Sequence, residues 1–348
     1  MKQLTLLTLG SGQRLDRLLR FALEGIPVRQ ADINSDLQGQ RILFALHMDE
    51  YGADECLHTL LRRLRREAQA LSGTICGIIV DGEGELYTKA AGQSLALAAN
   101  LAGALLPGKP LVEGTGSLYN QHIAAKNYGL PLEETYFTRS RELVQRLLDF
   151  TPPKFPQPKL LMLHASGNPQ SNTVWMGREV IKRLPSSIKT REISLQNGTI
   201  FDCRGCSYDT CLHFAENQRC FYGGVISQEV LPAVRDCDAI LLLCPNFNDA
   251  VSANITAFFN RLTNIAVLRD LREKYVFSII VSGYSGSDLV ARQILGAMCL
   301  NKAAILPPQF CLLQTANDPG SAEKAPGIAQ RLDSFATHVA DTLLAPPL

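Results

Sequence analysis

Four stretches of this chain carry residue types that could do chemistry. The first is Ser166-Gly167-Asn168-Pro169-Gln170-Ser171-Asn172-Thr173, which follows the apolar run Leu160–Leu163 and precedes a helical pattern. Ser166, Asn168, Gln170, Ser171, Asn172 and Thr173 offer hydroxyl and amide groups. A helix N-terminus behind them adds backbone N–H donors and a favourable dipole, which suits a phosphate. An ordinary polar cap at Asn172 or Thr173 explains the same residues without a ligand. The second stretch is Pro245-Asn246-Phe247-Asn248, which ends the apolar run Ile240–Cys244 and leads to Ser252-Ala253 at a helix start. An aromatic side chain beside exposed backbone amides suits a flat, partly polar ring. The third, Ser282-Gly283-Tyr284-Ser285-Gly286, is another strand-end turn. Tight-turn chemistry explains each loop alone. Three such loops on one sheet edge predict a crevice.

The fourth stretch is Cys203-x2-Cys206-x4-Cys211-x8-Cys220. Four thiolates so close in sequence suit a 4Fe-4S cluster or a tetrahedral zinc. Cysteines that hold no metal are the third reading, and His213 is a possible substitute ligand. Cys56, Cys76, Cys237, Cys244, Cys299 and Cys311 fall in apolar or helical patterns and read as inert buried thiols. His164 reads as a satisfied strand-end histidine, and Trp175 as packing. The loops offer no general acid or base, so no catalytic side chain is named.

These residues need a scaffold, and the hydropathy pattern supplies one. Strands alternate with helices throughout, which implies βαβ units and parallel sheets. At 348 residues two domains are expected. Residues 1–150 form the first, the proline-rich stretch 151–158 a stiff linker, and residues 159–348 the second, with the cysteine-rich insertion at 203–220. Predicted strands are 4–9, 28–33, 42–46, 75–80 and one beginning at Leu111, then 160–163, 189–194, 240–243, 276–281 and 310–313. A long helix is expected over 53–71. The halves also align with each other. Residues 42–64 lie over 240–262 without a gap, Ile78-Ile79-Val80 over Ile279-Ile280-Val281, and Leu105-Leu106-Pro107 over Ile305-Leu306-Pro307. Three segments in one order at nearly constant offset suggest an internal duplication. The first copy is degenerate: it lacks the cysteine run, and its loop Gly10-Ser11-Gly12 is too short to wrap a phosphate.

Composition narrows the function class. Hydrophobic residues make up 46%, charged residues 19%, and the net charge is +1. Nothing here points to nucleic acid or an anionic membrane. The basic run Arg62-Arg63-Leu64-Arg65-Arg66 reads as a solvated helix face. No apolar stretch nears the roughly 20 residues that span a bilayer. A cytoplasmic protein is the expectation, and its ten cysteines are then thiols or metal ligands rather than disulfides.

Residues 160–345 resemble the flavodoxin-like NADPH-dependent FMN reductase family, most closely its iron–sulfur flavoprotein branch. Ser166 to Thr173 is similar to that family's Ser-Pro-Arg-x-x-Gly-Asn-Thr phosphate loop. Pro245 to Arg261 is similar to its Pro-x-Tyr-x-x-x-x-Ser-Ala-x-x-Lys-Ala-Phe-x-Asp-Arg segment, with Phe247, Ser252, Ala253, Ala257, Phe258 and Arg261 in matching places. Asn168, Thr256 and Asn260 depart from it, standing where the family has arginine, lysine and aspartate. The resemblance implies two flavodoxin-like, doubly wound domains. It implies FMN with its phosphate on Ser166–Thr173 and its ring between Pro245–Asn248 and Gly283–Gly286. NAD(P)H is the implied co-substrate. A redox acceptor follows, either outside or a cluster at Cys203, Cys206, Cys211 and Cys220. Family members associate, so a homodimer or an intrachain pseudo-dimer is expected. Two other readings stay open: a non-catalytic scaffold on the same fold, and a zinc-stapled flavin reductase without a cluster.

Overall fold

The computed structural model describes residues 3–196, 200–217, 220–268 and 271–345. They form two compact units, Met1–Thr151 and Pro152–Leu348. The first contains β1 (Leu4–Leu9), α1 (Gln13–Ala22), β2 (Val28–Ala31), β3 (Arg41–Met48), α2 (Glu55–Arg66), β4 (Ile75–Gly82), α3 (Thr88–Leu101), β5 (Leu111–Gly114), α4 (His122–Tyr128) and α5 (Leu132–Asp149). The second contains β6 (Lys159–His164), α6 (Asn172–Arg183), β7 (Lys189–Ser194), α7 (Tyr208–Glu216), α8 (Leu231–Asp236), β8 (Ala239–Pro245), α9 (Ala253–Arg261), α10 (Thr263–Ala266), β9 (Tyr275–Ser282), α11 (Ser287–Ile294), β10 (Cys311–Thr315) and α12 (Ile328–Leu343).

Each unit holds one five-stranded parallel sheet, ordered β2-β1-β3-β4-β5 in the first and β7-β6-β8-β9-β10 in the second. Relative to chain order both read 2-1-3-4-5, the flavodoxin-like doubly wound arrangement, whose switch point lies between the first and third strands. Central strands read as unbroken apolar runs because helices cover both faces. All eight residues of β9 are buried. Helices contribute one stripe: Leu15, Leu18, Leu19 and Ala22 of α1 are buried, at the spacing that places them on one face. They join Leu143, Val144 and Leu147 of α5 in a core cluster.

The two sheets repeat each other in detail. An isolated parallel bridge joins Ile75 to Leu105 in the first unit and Tyr275 to Ile305 in the second. The Ile78 N–H donates to Pro110 O at 2.7 Å, and the Ser278 N–H to Phe310 O at 2.9 Å. Positive φ falls at Gly103 and Ala303, and at Lys109 and Gln309. Left-handed backbone at non-glycine residues is uncommon, so its recurrence at matched positions marks one loop design used twice.

Some elements depart from the sequence expectation. The helix expected over 53–71 stops at Arg66, where Glu67 leaves helical geometry (φ −113°, ψ 84°). The helices α4, α7 and α8 have no counterpart in the sequence pattern; all three are short, with 7, 9 and 6 residues. Residues 152–158 are bonded to their own unit: the Phe155 N–H donates to Leu343 O at 2.8 Å and the Tyr275 hydroxyl to Pro153 O at 3.0 Å. Among the described residues no helix is long and apolar enough to cross a membrane.

Candidate functional site

The second unit's four loops at the carboxyl edge of β6, β8, β9 and β10 enclose a crevice of about 560 Å³. From the first loop, Ser166, Asn168, Gln170, Ser171, Asn172 and Thr173 line it. Pro245, Asn246, Phe247 and Asn248 come from the second, and Gly283, Tyr284 and Ser285 from the third. Gly286 stands behind this wall. The crevice also takes Asp249, Val281, Ala316, Asn317 and Pro319, which sequence reasoning missed. The signal for the last three was available: β10 ends at Thr315, and every strand end on this edge contributes a loop.

The first loop is held by its own polar groups. Asn168 Oδ1 accepts from the Gln170 N–H at 2.9 Å, and Asn168 O accepts from the Ser171 N–H at 3.1 Å. The cap of α6 is Ser171, whose Oγ accepts from the Val174 N–H, rather than Asn172 or Thr173. Asn172 instead ties this loop to the fourth. Its Nδ2 donates to Asp318 O at 2.9 Å, and its Oδ1 accepts from the Ala322 N–H at 3.1 Å. At the start of a helix the first-turn N–H groups have no intrahelical acceptor, so α6 presents Asn172 and Thr173 amides at the crevice.

The second loop is a tight two-residue turn. Phe247 and Ala250 exchange backbone hydrogen bonds at 3.0 and 3.1 Å, with Asn248 (φ 52°) and Asp249 (φ 60°) both left-handed. This is the primed geometry that Asn and Asp tolerate best, and it leaves Phe247 56% exposed at the rim. Asn246 fastens the second loop to the third: its Nδ2 donates to Ser285 O at 2.9 Å, Ser282 Oγ at 3.2 Å and Asp249 Oδ1 at 3.3 Å. Its Oδ1 is buried without a partner. An orphaned acceptor in a polar wall is the feature a ring N–H would satisfy, so these residues fit a flavin. Tyr284 is 86% exposed on the opposite rim.

Packing explains the glycines here. A Cβ on Gly286 (φ 85°) would sit 2.0 Å from Asp249 Oδ1 and 2.7 Å from Asn246 Nδ2. One on Gly283 would sit 2.8 Å from Asn317 Oδ1. His164 is satisfied on one side only: its Nε2 lies 3.2 Å from Glu192 Oε1, which also pairs with Arg178 at 2.8 Å, while its Nδ1 is buried without a partner among the described residues.

The cysteine run is anchored next to α9. Arg261, 2% exposed, donates to Gly223 O at 2.8 Å and Phe201 O at 3.3 Å. Asn260 Nδ2 donates to Asp202 Oδ1 at 2.9 Å. Cys203 and Cys206 are exposed, while Cys211, on α7, and Cys220 are half-buried. Burial, helped by the nearby Cys220, Cys203 and Cys206, raises the Cys211 thiol above its usual value. Burial likewise holds the Lys302 amine below the usual lysine value, against the pull of Cys203 and Cys211. The thiols therefore share a neighbourhood. Yet among the described residues no three His, Cys, Asp or Glu side chains are grouped to hold a metal. Cys203 and Cys206 lie on irregular chain ahead of α7, Cys211 on α7 and Cys220 beyond it. His213 is exposed on α7.

The corresponding edge of the first unit is built differently. Arg14 donates to Asp81 Oδ1 and Gly82 O, both at 2.7 Å, and to Gly116 O at 2.9 Å, joining the end of β4 to the loop after β5 with its own guanidinium. The Asp81 side chain is 2% exposed, and His47 lies between Asp81 (3.6 Å) and Glu83 (3.4 Å). Carboxylates line this edge, which is unsuited to a phosphate.

Comparison with known proteins places the second unit. Residues 158–318 match the sequence profile of a family described as NADPH-dependent FMN reductase. The match supports an FMN reductase-like oxidoreductase. None of the curated proteins matches the chain. Solved structures similar to it include an NADH:FMN oxidoreductase in its apo form (14% identity, 55% of this chain and 92% of that one, TM-score 0.39). Another is an FMN-dependent NADH-azoreductase from Bacillus anthracis in complex with FMN (10% identity, 52% and 99%, TM-score 0.37). A third is an NAD(P)H:quinone oxidoreductase from Methanothermobacter marburgensis (12% identity, 53% and 97%, TM-score 0.40).

Proposed function

We propose that the second unit is an FMN-dependent NAD(P)H oxidoreductase acting at the crevice between the β6, β8, β9 and β10 loops. One observation carries this reading. Three loops singled out for a phosphate and a flat ring line a single crevice, inside the segment that matches the reductase family. Ser166, Asn168, Gln170, Ser171, Asn172 and Thr173 would hold the phosphate end, with the α6 amides behind them. Pro245, Asn246, Phe247 and Asn248 would flank the ring on one side, and Gly283, Tyr284, Ser285 and Gly286 on the other. FMN held there would supply the capacity to accept a hydride from NAD(P)H and to deliver the electrons onward. The chain's part is to orient the ring. Asn246 and Asn172 fix the spacing of the loops, and the exposed Phe247 and Tyr284 would flank the edges of a bound ring.

Iron–sulfur electron transfer remains a sequence-based proposal that rests on the cysteine spacing. Cys203, Cys206, Cys211 and Cys220 are the residues that would hold a cluster or zinc. The test is a visible spectrum of protein purified without oxygen, with iron and zinc assayed on the same sample, followed by NAD(P)H addition. Flavin bands bleached by NAD(P)H without iron fit the reductase reading. About four irons per chain would restore the cluster. Protein that stays colourless after incubation with FMN would refute the enzyme reading in favour of the scaffold.

A further inference from the structure

The carboxyl edge of the first unit carries features that the loss of a phosphate loop does not require. Five large apolar side chains stand exposed on it: Tyr51 (75%) after β3, Leu86 and Tyr87 (60%) after β4, and Tyr119 and Ile123 beyond β5. The loops that carry them are pressed together. A Cβ on Gly84 would lie 2.5 Å from Glu50 O, the Gly116 N–H donates to Gly84 O at 2.9 Å, and the Ser117 N–H to Glu85 Oε1 at 2.6 Å. The surface is therefore preformed. Tyr87 is held there against its backbone preference. The helices α3 and α11 both begin after a left-handed N-cap residue, which is Gly286 (φ 85°) in the second unit and Tyr87 (φ 72°) in the first. That geometry is an outlier for a bulky residue and costs glycine nothing. The Tyr87 side chain packs on Gly52, whose added Cβ would lie 2.6 Å from Tyr87 Cβ and Cδ2. Tyr51 and Tyr87 also line a cavity of about 390 Å³ with Met48, Leu57, Leu61 and Ala91. Exposed apolar patches rimmed by polar groups mark interaction surfaces, where tyrosine is enriched. The rim here is acidic. Asp49, Glu50, Asp54, Glu55, Glu83 and Glu85 fall in the same loops, in a chain whose net charge is +1. Of the cations at this edge, Arg14 is paired with Asp81 at 2.7 Å and Lys89 with Glu113 at 3.9 Å.

We propose that this edge docks a partner protein through a basic segment, with an arginine side chain entering the cavity between Tyr51 and Tyr87 and its flanking cations facing the carboxylate rim. A guanidinium stacks on aromatic faces and pairs with carboxylates, so it meets both features at once. The acidic field would steer such a segment and reject acidic ones. The full chain is panned against a random peptide library displayed on phage, and the most enriched peptide is synthesised and titrated by fluorescence anisotropy. Enriched sequences should be net positive, with arginine at a fixed position. The peptide should bind about tenfold more weakly to Tyr51→Ser and to Tyr87→Gly, which retains the left-handed backbone without strain. Raising salt from low to high should weaken it by about tenfold, and Glu50→Gln with Glu55→Gln by about threefold. Circular dichroism confirms that each variant is folded. Enriched peptides without positive charge, undiminished binding to folded Tyr87→Gly, or no enrichment at all would overturn the proposal. So would a dimer in sedimentation velocity that Tyr87→Gly dissociates, because the face would then belong to a second copy of the chain.

Discussion

Replacing Gly286 by alanine tests whether the crevice wall is as tightly built as its contacts indicate. Gly286 has φ 85°, and an added Cβ would stand 2.0 Å from Asp249 Oδ1 and 2.7 Å from Asn246 Nδ2. Left-handed backbone costs an L-residue about 1 kcal/mol. The clash adds to this, because the Asp249 carboxylate must swing away and Asn246 Nδ2 loses its bond to it, worth about 1.5–3 kcal/mol for a charged acceptor. The total is about 3 kcal/mol. For a unit of this size that lowers the unfolding midpoint by about 6–12 °C. The chain's one tryptophan, Trp175, lies on α6 of the second unit, so its fluorescence follows that unit alone. Gly327→Ala is the control: φ is 70°, and nothing lies within 4 Å of its added Cβ. It should show the strain without the clash, a drop of about 2–4 °C. The Gly286 variant should also weaken flavin binding, because Asn246 fastens both ring-flanking loops. Equal drops for the two variants with unchanged flavin affinity would refute the reasoning.

Arg14→Ala should destabilise the first unit by about 3–5 kcal/mol, because it strands the buried Asp81 charge. The double change Arg14→Leu with Asp81→Leu should recover much of the loss, as read by circular dichroism. Thiol labelling of the folded chain should be rapid at Cys203 and Cys206 and also at Cys56, which is not the buried thiol its helical pattern suggested but lies off the Leu57, Leu60, Leu61 and Leu64 stripe of α2, exposed. Cys76, Cys237, Cys244 and Cys311, whose thiols burial pushes up to about 12, should resist until unfolding; mass spectrometry of labelled peptides checks both groups. Glu192 is held below the usual carboxylate value chiefly by its hydrogen bond to Arg178, against burial. A lowered folded-state value means its contribution is present above about pH 4.5, the unperturbed value, and is lost as pH falls through the folded-state value. Urea midpoints of Glu192→Gln should therefore depend less on acid pH than those of the unaltered protein; parallel curves would contradict this.

Sequence alone determined the periodic parts of this protein. Parallel strands buried on both faces must be apolar throughout, so the runs at 42–46, 160–163, 240–243 and 276–281 announced themselves. The order of strand, loop and helix placed the loops at a sheet edge. The repeat was also legible, because matched strands sit at nearly constant spacing. Tertiary structure decided what depends on distance rather than order. The fourth crevice loop, with Ala316, Asn317 and Pro319, joins the site because β10 lies beside β9. The cap fell to Ser171 because the fourth loop claims the Asn172 side chain. Asp249 faces the crevice because a primed turn reverses the chain within two residues. Arg14 occupies the first unit's edge through partners at the end of β4 and in the loop after β5. The cysteine run shows the same division most plainly. Its spacing names a ligand set, but ligation is a matter of distance, and among the described residues no three such side chains are grouped to hold a metal.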